Sequence, residues 1–115
     1  MEGHEEYMKR MDKEVDQTNS AIIQKVDVLA SLDTLKLNEA EQSYGDNWKQ
    51  RGGVGAFMML ARKWDRLEKQ VNEYNYDVFL AAKDDMREEG ILDDIRDLRR
   101  YLFLVEAEVR MRGNG

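Results

Sequence analysis

An all-α fold is what the sequence predicts, on three observations. The 115-residue chain contains no proline, its apolar residues recur at steps of three and four, and its internal glycines occur only at Gly45, at Gly52, Gly53 and Gly55, and at Gly90. Nothing in the chain forbids long uninterrupted helices. The length suits one domain, which on folding buries about 65% of the surface its unfolded chain exposes. We expect a compact four- to five-helix bundle over residues 20–112, preceded by a polar, peripheral helix over 1–19.

The first stretch carries Tyr7, Met8, Met11, Val15, Ile22, Ile23, Val26, Leu29, Leu32, Leu35 and Leu37, mostly three or four apart. Thr18-Asn19-Ser20 and Ser31-Leu32-Asp33-Thr34 are rich in residues that cap helices, which predicts breaks near 19 and 32. Beyond Gly45, Asp46 is a candidate N-cap for a short turn bearing Trp48. The glycine loop 52–55 then leads into a helix expected over 56–72, whose stripe of Phe57, Leu60, Ala61, Trp64, Leu67 and Val71 should face the core. Residues 72–77 make a poor helix interior, so Asp77 is expected to cap a shorter helix over 78–88 that Gly90 ends. The last helix is expected over 91–112, because Ile91, Ile95, Leu98, Leu102, Val105 and Val109 form a seam of the kind found in bundles.

Composition excludes several function classes. There is no Cys and a single His, His4, in a polar terminus, which removes disulfide scaffolds, Cys-based zinc sites, thiol nucleophiles and any His-dependent triad not built on His4. Metal or acid-base chemistry would have to rest on carboxylates. The net charge of −6 and pI near 4.9 have the wrong sign for a domain that neutralises nucleic-acid phosphates. No apolar run approaches the ~20 residues that span a bilayer, and residues 1–17 lack the apolar core of a signal peptide. A cytoplasmic location is expected. The charge is also uneven: residues 77–97 hold eight acids against three bases, whereas residues 45–71 hold three acids against six bases.

The pattern richest in chemistry is a pair of carboxylate couples, Asp65-x-x-Glu68 and Asp94-x-x-Asp97. An i, i+3 spacing puts each couple on one helix face, beside an apolar stripe. If those stripes pack together, four carboxylates meet at one seam, and a cation such as Mg²⁺ between them could receive substrate phosphates. The same residues can equally form ordinary ion pairs with neighbouring bases, for example Asp93 with Arg96 or Glu106 with Arg110. Separately, backbone N–H groups of the glycine loop could hold a phosphate, flanked by Lys49, Arg51, Lys63 and Arg66. Trp48 and Tyr101 are candidates for stacking on a base, and equally for packing at the core boundary.

Two acidic motifs on separate helices, the second followed by Leu98 and Tyr101, resemble the MazG-like all-α nucleotide pyrophosphohydrolases, whose pattern is E-x-x-E, a spacer, then E-x-x-D. The stretch Ser43-Tyr44-Gly45-Asp46-Asn47-Trp48, followed by a helix with Lys63 and Arg66, is similar to nucleotide-modification-associated domains of phages and bacteria. Residues 44–68 also look like segments of small bacteriophage proteins. The resemblance implies a bundle, commonly a homodimer, in which Mg²⁺ held by Asp65, Glu68, Asp94 and Asp97 receives a nucleoside triphosphate and water releases pyrophosphate. On it, Glu68, Asp94 and Asp97 would be catalytic, Lys49, Arg51, Lys63 and Arg66 would contact phosphate, and Trp48 and Tyr101 would stack on the base. Asn38-x-x-Glu41 is a second candidate for the first couple. Lys63-Trp-Asp-Arg-Leu-Glu68 places bases where the hydrolases carry adjacent glutamates, which motivates an alternative: a non-catalytic phage accessory protein that sequesters a small nucleotide or binds a host defence protein, with no nucleic-acid or membrane partner.

Overall fold

The computed structural model describes residues 3, 20–88 and 90–113. The expected helix over 1–19, and His4 within it, lie outside the described residues, Gly3 apart. The described residues are helical with no strand: α1 (Ala21–Tyr44), a 3₁₀ turn (Asn47–Lys49), α2 (Gly52–Asn72), α3 (Val78–Asp84) and α4 (Ile91–Arg112). By internal contacts the chain divides into two compact units, Met1–Ser43 and Tyr44–Gly115. Among the described residues no helix is long and apolar enough to cross a membrane.

In the first unit, α1 starts where Ser20 Oγ accepts the Ile23 N–H at 3.3 Å, an N-cap of the kind the Thr18-Asn19-Ser20 signal predicts. The break expected near 32 is absent, and α1 runs unbroken through it. Thr34, one of the capping residues there, has its partner inside the helix frame. Thr34 Oγ1 donates to the Ala30 carbonyl at 3.1 Å, and Asp33 is both buried and engaged.

The second unit is built on the antiparallel pair α2 and α4, which pack along their length, with the 3₁₀ turn against α2 and α3 touching both long helices. Its helix boundaries differ from the expected ones in two places. α2 begins at Gly52 rather than near 56, so the glycine loop is the first turn of the helix. Gly52 has φ +74°, a left-handed conformation that glycine adopts without a Cβ penalty. A Cβ at Gly55 would stand 2.6 Å from Arg51 Cβ, so the bare glycine lets the Arg51 side chain lie against the first turn. The stripe of α2 faces the core only in part: Val71 is buried and Leu60, Ala61 and Leu67 are half-buried, whereas Phe57 (65%) and Trp64 (52%) are exposed. The helix ends in a tight turn in which the N–H groups of Tyr74 and Tyr76 both donate to the Val71 carbonyl, with Asn75 and Tyr76 at positive φ.

α3 opens as expected, with Asp77 Oδ1 accepting the Leu80 N–H at 3.1 Å, and it buries Ala81 completely. It stops at Asp84, four residues short of the expected end, and Gly90 is the N-cap of α4 rather than the terminator of α3. Asp85 is the reason. Its extended backbone ends α3, and its carboxylate reaches forward to accept the Ile91 N–H at 2.5 Å while binding Arg87 through Nε at 2.9 Å and Nη2 at 3.1 Å. A carboxylate at the N-terminus of α4 satisfies an orphan amide and complements the helix dipole. A Cβ on Gly90 would collide with that carboxylate. Gly90→Ala is therefore expected to displace the cap and cost about 1 kcal/mol, read as a lower urea midpoint with unchanged slope.

The same cap sets an acid limit. The Arg87 guanidinium first, and then the Ile91 N–H, hold the Asp85 carboxyl well below its ordinary value of 3.8. Because folding lowers this pKa, the stability it contributes is present above the unfolded-state value and is lost as pH falls through the folded-state value. The loss of stability below pH 3.8 is expected to be smaller in Asp85→Asn than in the parent protein when unfolding midpoints are compared across acid pH.

Candidate ligand cleft and the ionic seam

Antiparallel packing brings the N-terminal turns of α2 beside the C-terminal turns of α4, and the 3₁₀ turn covers their junction. A cleft of about 320 Å³ lies there. Trp48, Phe57, Leu60, Val105 and Val109 wall it, Gly52, Gly53 and Ala56 line the side nearest the start of α2, and Lys49, Glu108 and Arg112 stand at its polar edge. Small-molecule sites are typically such concave, mainly apolar spaces of ~300–1,000 Å³ with a few placed polar groups.

The polar edge is an ordered network. Glu108 Oε1 accepts from Lys49 Nζ at 2.7 Å, and Oε2 accepts from Arg112 Nε at 2.5 Å. Lys49 Nζ also lies 3.7 Å from Asp46 Oδ2. Glu108 raises the Lys49 pKa above its usual value, while Lys49 and then Arg112 lower that of Glu108, so Lys49 and Glu108 are both charged near neutral pH. Lys49 and Glu108 are 59 positions apart in sequence, so this contact is tertiary and fixes the 3₁₀ turn against α4.

Of the residues the sequence nominated for this part of the molecule, Trp48 and Lys49 line the cleft, and Arg51 is the exposed N-cap residue of α2. Sequence reading missed Glu108, Phe57, Val105 and Val109 as lining groups. The i, i+4 spacing of Glu108 and Arg112 was a signal for their pairing, but nothing local tied either to Lys49.

Of the other nominated residues, Lys63, Arg66, Asp94, Asp97 and Tyr101 sit along the seam between α2 and α4, away from the cleft. There the structure pairs bases with acids. Lys63 Nζ lies 3.6 Å from Asp97 Oδ2, and Arg66 Nε lies 3.4 Å from Asp94 Oδ1. Lys63 Nζ also stands 5.7 Å from the centre of the Tyr101 ring, so this ring meets a cation. Arg96 joins Asp93 at 2.8 Å and Asp97 at 3.5 Å, and Arg110 joins Glu106 at 2.7 Å. Asp65 and Glu68 are exposed on α2, and Asn38 and Glu41 are exposed on α1 in the other unit.

The expected convergence of Asp65, Glu68, Asp94 and Asp97 is thus replaced by an ionic ladder. Among the described residues no three Asp, Glu or His side chains are grouped to hold a metal ion. The i, i+3 spacing of Asp94 and Asp97 is matched on the antiparallel α2 by Arg66 and Lys63, so cationic side chains take the place that spacing offered to a metal. Two polar atoms of the ladder are buried with no hydrogen-bond partner, Oδ2 of Asp94, a residue 3% exposed, and Nε of Arg96. A buried carboxylate oxygen without a donor is costly, and a cation beside it would offset that cost.

No family model, curated protein or solved structure matches this chain. Over the described residues, fold and site define an all-helical protein with a ligand-sized cleft at one end of its α2 and α4 pair.

Proposed function

We propose that the protein binds a small nucleotide in the cleft formed by the 3₁₀ turn, the start of α2 and the end of α4, without turning it over. The observation that carries this reading is an aromatic-walled cleft of about 320 Å³ with Lys49 and Arg112 at its edge, opening beside a helix N-terminus. Trp48 and Phe57 offer the flat apolar surface that a base stacks on. The first amides of α2, which a helix leaves without intrahelical partners, together with Arg51 offer donors and positive potential to a phosphate. The site's charge is locally favourable although the whole chain is acidic, because residues 45–71 are a basic segment.

Magnesium-dependent hydrolysis, implied by the resemblance to the pyrophosphohydrolases, has one observation in its favour, the unpartnered Asp94 Oδ2. The residues present do not otherwise fit such a metal: Asp94 and Asp97 face Arg66 and Lys63, and Asp65 and Glu68 are not gathered with them.

The test is a thermal-shift series with mono-, di- and triphosphates and cyclic nucleotides, each with and without Mg²⁺. A ligand of the folded state stabilises it by mass action, about 2.7 kcal/mol at a hundredfold excess over Kd. The expected result is a concentration-dependent rise in the transition that needs no Mg²⁺ and releases no pyrophosphate. Absence of a shift with every nucleotide overturns the proposal, and a shift that requires Mg²⁺ and is accompanied by pyrophosphate transfers the role to the seam around Asp94.

A further inference from the structure

We propose that Glu108 makes the cleft selective for a guanine base. The inference rests on the nucleotide-binding reading and goes beyond it by naming the base. Among the residues lining the cleft Glu108 is the one acid, and its side chain is 21% exposed, sheltered enough for its hydrogen bonds to discriminate between ligands. Its position is fixed from both sides, by Lys49 Nζ on Oε1 and Arg112 Nε on Oε2. Among the described residues each of these oxygens takes one donor, and a carboxylate oxygen has two acceptor sites, so a second donor can be received on each.

The charge state narrows the ligand. Lys49 and Arg112 keep the carboxyl ionised near neutral pH, which makes it an acceptor only. A base that meets it edge-on must therefore present donors and no lone pair. Guanine presents N1–H and the 2-amino group side by side, a fork that matches the two carboxylate oxygens. Adenine and cytosine set an amino group beside a bare ring nitrogen, and uracil flanks its single N–H with two carbonyls, so each would turn at least one lone pair towards an anion. That mismatch works as rejection of the wrong base as well as preference for the right one. The lining around Glu108 holds the base by its faces: Trp48 and Phe57 are aromatic, and Val105 and Val109 precede and follow the carboxylate on α4.

The experiment is isothermal titration of the full chain with GMP, IMP and AMP in the absence of metal, repeated on Glu108→Gln. GMP is expected to bind about tenfold or more tightly than AMP, with IMP between them because it keeps N1–H and lacks the 2-amino group. In Glu108→Gln the preference should collapse. The GMP to IMP comparison uses the unmodified protein, so it decides the matter even where the variant folds poorly. Equal binding of GMP and AMP, or a preference that survives in a folded Glu108→Gln, overturns the guanine inference and leaves nucleotide binding standing. Absence of binding by all three overturns the nucleotide reading itself, and the inference with it.

Discussion

Ile91→Ala is expected to lower the stability of the second unit by about 3 kcal/mol. Ile91 is 2% exposed, the most buried large apolar side chain among the described residues, and it opens α4 at the junction with α3. Its backbone N–H is the donor to Asp85, so the residue is anchored by the cap while its side chain is buried. Truncation removes methyl groups whose burial stabilises the fold, and it leaves a cavity that the anchored backbone cannot collapse. Few other large apolar side chains here are fully buried, so neighbours offer little compensation. Against a typical total of ~5–15 kcal/mol the loss is large. Urea unfolding followed by circular dichroism checks it, and a change under about 1 kcal/mol would show that Ile91 is not central to the packing of this unit.

Trp48→Ala is expected to weaken nucleotide binding by about 10- to 100-fold, since stacking on an aromatic ring is worth about 1–3 kcal/mol per base. Trp48 is half-buried on the 3₁₀ turn and supplies one wall of the cleft, while the neighbouring Lys49 continues to hold Glu108. Global stability should change much less than affinity, because the turn stays tied to α4 through that ion pair. Trp64 is the matched control. It lies on α2, is 52% exposed and does not line the cleft, so Trp64→Ala should leave affinity unchanged in the same titration.

Much of the helical framework was legible in the sequence. The regular stripe from Ile91 to Val109 gave the bounds of α4, and Asp77 caps α3 as its position suggested. Where reading failed, side chains had taken a second role. Thr34 bonds back to Ala30 instead of starting a new helix. Asp85 serves the following helix and so shortens its own. Of the candidate cleft, Trp48 and Lys49 were readable because they border the glycine turn. Glu108 was not, because its role depends on an antiparallel packing that no local pattern encodes. The seam was misread for a related reason. Spacing showed that Asp94 and Asp97 share a face, but it could not show that Arg66 and Lys63, which have the same spacing on α2, meet them.

The most direct test of the central claim is a ¹H–¹⁵N correlation spectrum of the labelled protein titrated with GMP. Binding in the cleft predicts progressive shifts at the Trp48 indole N–H, the Gly52 and Gly53 amides and the amides around Glu108, with the signals of Asp94 and Asp97 little changed. Shifts centred on Asp94 and Asp97, or a spectrum unmoved at millimolar ligand, would contradict it.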